Sequence, residues 1–152
     1  MERTLVLVKP YGVQRGLIGK VMDRFERHGL RIVALKMMQM DESLARRHYA
    51  AHVNKPFFPG LLRYMSSGPL AAMVVEGDNA ILEVRAIMGP TDPTKASPGT
   101  LRADYAVDVQ RNFVHGSDSP ESAACEVPLF FQPEEIFTYE MVVDTEVDHL
   151  TQ

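Results

Sequence analysis

The chain is poor in cysteine, short of basic charge and free of long apolar runs, and each shortage removes a class of protein. Its single cysteine, Cys125, excludes an intrachain disulfide and suits a reducing compartment. With 16 Lys+Arg against 20 Asp+Glu the formal net charge is -4, so no global basic field draws the chain to nucleic acid or to an anionic membrane. The apolar run at residues 5–8 is too short for a signal peptide or a membrane span and has no cleavage-like sequence beside it. A soluble, intracellular, cytoplasmic protein without a membrane anchor is expected. Several standard chemistries are missing too. Residues 12–20 hold glycines and Lys20, but Val21 follows the lysine, so there is no Walker loop, and the G-x-G-x-x-G spacing is absent. The histidines are scattered and form no Cys/His metal cluster. Ser117 and Asp118 lie too near His115 for an ordinary Ser-His-Asp triad. No repeat, heptad or low-complexity segment interrupts the chain.

What is present suits one domain over 1–152. The length of 152 residues and the 45% hydrophobic content supply one real core but not two. Residues 4–8 read as a buried strand ended by Lys9-Pro10. Ile18, Val21, Met22 and Phe25 share a helical face, with Gly29 as the stop. Residues 30–40 read as a second strand. Asp41 is a good N-cap for a helix to about residue 52, and a short helix follows Pro59. A third strand spans 70–75 and another helix 79–88. Prolines 90, 93 and 98 make 89–99 a loop with a restricted path. A fourth strand is expected near 109–115, although Asp108 and Arg111 weaken it. Ser119-Pro120-Glu121 starts a last helix ending near Pro128 or shortly after. This order fits a doubly wound parallel sheet or a compact β-α-β-β-α-β layout with small inserted helices. Residues 139–152 form an acidic tail whose sticky patch, Met141-Val142-Val143, is suited to packing on a surface or a neighbour.

The most informative stretch is Asn112-Phe113-Val114-His115-Gly116-Ser117-Asp118-Ser119. It places one histidine between an apolar run and a helix start. An imidazole there can present one nitrogen to a substrate while polar groups hold the other, and it can form a covalent intermediate. Glu126, on the following helix, is positioned to hold the ring. Lys9, Arg85 and Arg102 are the cations a polyphosphate would need. Tyr49, Thr91 and Asn112 offer neutral hydrogen bonds, and Phe57, in Pro56-Phe57-Phe58-Pro59, offers a ring for a base to stack on. Taken singly, each of these also reads as a solvated cation, a loop histidine or a packed corner.

Taken together and in order, these pieces resemble the nucleoside diphosphate kinase family over residues 4–139. The family's N-x-x-H-G-S-D run stands here at residues 112–118. Lys9-Pro10-Tyr11-Gly12, the H-Y and P-F-F-P signatures within 46–59, and the segments 85–93 and 97–102 complete the match. The resemblance implies an α+β fold, a ferredoxin-like sandwich with a four-stranded antiparallel sheet covered by helices. It implies His115 as the nucleophile through Nδ1, Glu126 orienting the ring, and Ser117 bonded to that carboxylate. Lys9, Tyr49, Arg85, Thr91, Arg102 and Asn112 would hold phosphates and sugar hydroxyls. Phe57 would stack on the base, with Leu61 and Val109 beside it. Ping-pong transfer from ATP or another nucleoside triphosphate to a nucleoside diphosphate follows, with Mg²⁺ carried on nucleotide phosphates rather than in a protein cage. A homo-oligomer, a hexamer rather than a tetramer, is also implied. The departures are Asp92 for the usual Asn, Phe130 for the usual Trp, and Pro128, which is expected to shorten the last helix. A non-catalytic nucleotide-binding module would be expected to lose His115 or a phosphate clamp, and none is lost. A phosphotransfer protein fed by a protein partner would have no use for the nucleotide clamps.

Overall fold

A computed structural model describes residues 1–109 and 111–142. Its centre is a four-stranded sheet in the order β2-β3-β1-β4, with β1 at Glu2–Val8, β2 at Arg31–Met38, β3 at Leu70–Gly77 and β4 at Val114–Gly116. Every neighbouring pair is antiparallel. This is the ferredoxin-like α+β arrangement, and it removes the parallel alternative.

Side chains alternate across a strand, so β1 and β3 feed two cores. Val6, Val8, Ala71, Met73 and Val75 face one side, packed with Val21 and Phe25 of α2 (Ile18–Arg27) and Val84, Ile87 and Met88 of α5 (Ala80–Met88). Leu5, Leu7, Leu70, Ala72 and Val74 face the other. There they meet Leu44 of α3 (Glu42–His48), Met65 of α4 (Phe58–Met65) and Phe130 of α7 (Pro120–Phe130). Both central strands are therefore covered on both faces. Two further helices, α1 (Pro10–Gln14) and α6 (Leu101–Tyr105), lie at the end of the sheet where β1 and β4 are paired.

The expected caps are in place. Asp41 accepts the Leu44 N–H at 2.7 Å, and Ser119 accepts the Ser122 N–H at 3.0 Å. The helix begun at Asp41 nevertheless ends at His48, and a separate 3₁₀ turn spans Ala50–His52. The short helix starts at Phe58, with Pro59 inside its first turn.

One expectation is corrected. The fourth strand does not run from 109 but is confined to Val114–Gly116. Asp108 accepts the Arg111 N–H at 2.7 Å and its guanidinium at 3.0 Å, while Asn112 Oδ1 accepts the Val114 N–H at 3.3 Å. Such local bonds compete with a ladder and turn the chain instead. Residue 110, within the expected strand, lies outside the described residues. The last helix ends at Phe130, shortly after Pro128 and within the expected bound. Burial of Phe130 and Phe131 in the second core holds that final turn in spite of the missing proline donor. Of the expected tail, 143–152 lie outside the described residues, including Val143 of the sticky patch. Tyr139 is described, and its hydroxyl donates to Ile32 O at 2.8 Å.

Candidate active site

His115 sits on β4 directly opposite Leu7 of β1, so its ring emerges on the face covered by α3, α4 and α7. Two glycines bring other groups close to it. A Cβ on Gly116 would come within 3.0 Å of Met88 Sδ and 3.1 Å of Val84 Cγ1, so a larger residue would make these α5 side chains give way, and glycine favours the close approach of α5 to β4. That approach brings Arg85 Nη1 within 3.3 Å of Gly116 O. A Cβ on Gly12 would meet Val8 Cγ1 at 2.8 Å and Phe113 O at 2.9 Å, which seats α1, and Lys9 at its N-cap, against the strand carrying His115.

His115 Nε2 lies 2.8 Å from Glu126 Oε1, and Ser117 Oγ donates to the same oxygen at 2.8 Å. Ser117 is itself fixed in the sheet: its N–H donates to Leu5 O at 3.1 Å and its Oγ accepts the Leu5 N–H at 3.3 Å. Glu126 is thus aimed by a rigid strand. Burial alone would raise its pKa, but the hydrogen bond and charge of His115 and the Ser117 hydroxyl hold it low.

Lys9, Tyr49, Arg85, Thr91, Arg102, Asn112, His115 and Glu126 all line one cleft of about 430 Å³. Its cations are crowded. Burial, then the charge of Arg102, lowers the Lys9 pKa to about 8. Burial, then Arg85, lowers that of Arg102 to about 10. Arg102 donates to Gly89 O at 2.6 Å and to Val114 O at 3.0 Å, tying the proline-rich loop to β4. Cations held together in this way are under mutual repulsion, which a polyanion relieves.

Four of the expected residues stand apart from the cleft wall. Ser117 is buried beneath Glu126. Phe57 and Val109 are 53% and 50% exposed, and Leu61 packs on the second core. Phe57 remains next to the opening, because its ring lies 5.4 Å from that of His52, a wall residue.

The wall also holds residues that the sequence reading passed over: His48, Ala51, His52, Asp118 and Ser122. The His48 ring is 4.9 Å from that of His115, and among the described residues neither of its nitrogens has a partner. Burial, then the neighbouring His115, lowers its pKa to about 3. Asp118 Oδ1 accepts the Ser122 hydroxyl at 2.6 Å, which lowers its pKa. The only sequence signals were the position of His48 beside Tyr49 and the four-residue spacing of Asp118 and Ser122 at a helix start.

The nucleoside diphosphate kinase family pattern matches residues 2–136. A nucleoside diphosphate kinase of Listeria monocytogenes is 57% identical over 145 residues, which is 95% of this chain and 99% of that protein. The chain belongs to the nucleoside diphosphate kinase family. It is thereby placed among nucleotide-binding phosphotransferases. Solved members agree in shape. The halophilic nucleoside diphosphate kinase of Halobacterium salinarum, in complex with CDP, is 47% identical with a TM-score of 0.89, covering 96% of each chain. A nucleoside diphosphate kinase family protein of Babesia bovis is 43% identical with a TM-score of 0.91, covering 97% of this chain and 99% of its own.

Proposed function

We propose that the chain transfers the γ-phosphoryl group of a nucleoside triphosphate, ATP included, to a nucleoside diphosphate through a phosphohistidine at His115. The observation that carries this reading is the pairing of His115 Nε2 with Glu126 at 2.8 Å. With Nε2–H donated to the carboxylate, the lone pair lies on Nδ1. Nδ1 attacks the γ-phosphorus, the bond from phosphorus to the bridging oxygen breaks, and the nucleoside diphosphate leaves with that electron pair. The ring then carries a positive charge, which the Glu126 carboxylate offsets. A terminal β-phosphate oxygen of a second diphosphate reverses the step and regenerates neutral His115.

Lys9, Arg85 and Arg102 stabilise charge spreading over the transferring group. Tyr49, Thr91 and Asn112 hold phosphate and sugar oxygens. Phe57, flanked by Leu61 and Val109, stacks on the base without reading its edge, so the reading includes breadth of base. As for magnesium, the cleft carboxylates are Asp118 and Glu126, and no three-donor metal cluster occurs among the described residues. This donor set fits an ion carried on nucleotide phosphates, for which Asp118 would be the carboxylate able to hold the ion's water ligands. When bound, magnesium neutralises phosphate charge.

The reading extends to a single domain over 1–152, a cytoplasmic location and a homo-oligomer, a hexamer rather than a tetramer. The exposed Leu35 and Met37 on edge strand β2 support assembly, and the free thiol of Cys125 suits a reducing compartment. No described helix is long and apolar enough to cross a membrane. Light scattering tests the assembly, and a mass near four chains would contradict the hexamer. Transfer is tested with His115→Ala: a correctly folded variant that still forms GTP from ATP and GDP would contradict the mechanism.

A further inference from the structure

The Tyr64 hydroxyl joins three segments that meet at the site. It donates to Asn112 O at 2.5 Å and accepts the Tyr11 N–H at 3.3 Å. Tyr64 itself lies on α4, whose first turn follows Phe57 and whose body carries Leu61. Asn112 lies three residues before His115 and belongs to the cleft wall. Tyr11 lies two residues after Lys9, in the first turn of α1.

That first turn needs an outside partner. Lys9 is the N-cap and makes no side-chain cap hydrogen bond, and Pro10 has no N–H. The Tyr11 N–H is therefore an unpaired donor of the helix start, and the Tyr64 oxygen supplies the acceptor from another element. At the other end of this contact, Asn112 O lies just before β4 and accepts the hydrogen bond of the tyrosine hydroxyl. Burial raises the Tyr64 pKa to about 12, against the Tyr11 hydrogen bond that lowers it, so the hydroxyl keeps the proton it donates.

We propose that Tyr64 is a positioning residue that fixes the distance between the base side of the cleft, carried by α4, and its phosphate side, carried by Lys9 and Asn112. This rests on the kinase reading above. A nucleotide touches both sides at once and needs the span held. A phosphoryl donor without a base or sugar touches the phosphate side alone. Tyr64 does not line the cleft, so its effect is indirect, and the span is what its removal loosens.

The experiment compares two donors in the unaltered protein and in Tyr64→Phe. One donor is ATP with Mg²⁺ and GDP as acceptor. The other is phosphoramidate, whose P–N bond breaks as His115 Nδ1 bonds to phosphorus and ammonia departs. With two hydrogen bonds lost, KM for the nucleotides is expected to rise about tenfold with kcat within about twofold. The rate of His115 phosphorylation by phosphoramidate should stay within about twofold of the unaltered protein. Unchanged nucleotide constants would overturn the proposal. So would a parallel fall with both donors, because that is the signature of general loosening. Absence of transfer in the unaltered protein would contradict the kinase reading and this proposal together, whereas an active protein with an indifferent Tyr64→Phe overturns this proposal alone.

Discussion

His48 stands edge-on to His115, their ring centroids 4.9 Å apart and their planes at 81°. The same ring packs edge-on to Phe130 at 5.2 Å, so one neutral imidazole joins α3, β4 and α7. Its pKa near 3 against the ordinary 6.5 has a stability consequence. The unfolded chain binds a proton at His48 between those values and the folded chain does not, so stability falls as pH drops below about 6.5. Between about pH 7 and pH 5 the loss from this group is at most about 2 kcal/mol. Urea melts across that range should show the decline, and His48→Gln should flatten it. An identical slope in the variant would assign the decline elsewhere.

Lys9 titrates in the opposite functional sense. Its pKa of about 8 belongs to the free cleft, and an anion beside it pushes that value back up. Nucleotide affinity is then full below about pH 8 and falls as pH rises through it. The expected weakening by about pH 9.5 is up to about thirtyfold, because each pH unit above the free-cleft value of about 8 costs at most a factor of ten. Calorimetric titration with ADP measures it. Lys9→Arg should stay flat over this range, and a flat profile in the unaltered protein would contradict the role given to Lys9.

Glu126 and Ser117 form a graded pair. Glu126→Gln removes the charge that offsets a phosphorylated ring, and an ionic hydrogen bond of this kind is worth about 1.5–3 kcal/mol, or roughly ten- to a hundredfold in the rate of His115 phosphorylation. Ser117→Ala leaves the carboxylate in place but frees one of its restraints, so its loss should be smaller, about three- to tenfold. Rapid-quench measurement of phosphohistidine formation separates them. A larger effect from Ser117→Ala than from Glu126→Gln would reverse the proposed hierarchy.

Phe57 is exposed beside the cleft opening, which is where a stacking ring remains available. Phe57→Ala should weaken nucleotide binding by about 1–3 kcal/mol, the usual worth of a base–aromatic stack, while phosphorylation at saturating nucleotide persists. Purine and pyrimidine nucleotides should both lose affinity, because a stack reads no base edge. Unchanged binding would remove Phe57 from the base site.

Much of the fold was legible because its signals were local. Asp41 and Ser119 mark helix starts by side-chain capping, and both caps are present in the structure. The direction of the strands was not legible from periodicity. β1 and β3 are covered on both faces and read as continuous apolar runs, as parallel strands also do. The family resemblance resolved that point. β4 was over-extended because Asp108 and Asn112 turn the chain with their own side chains. Within the site, Glu126 was legible from its position on the helix after His115. His48 was not, since its contact with His115 forms only when α3 packs across the sheet and leaves no spacing signal in the chain.

The central claim is that phosphate passes through His115. Intact-mass analysis of the protein mixed with ATP and Mg²⁺, and then with GDP, tests it most directly. The account predicts a gain of one phosphoryl group, absent in His115→Ala, that disappears on adding GDP as GTP forms. A folded protein that gains no phosphoryl group and makes no GTP would contradict it and leave a nucleotide-binding module in its place.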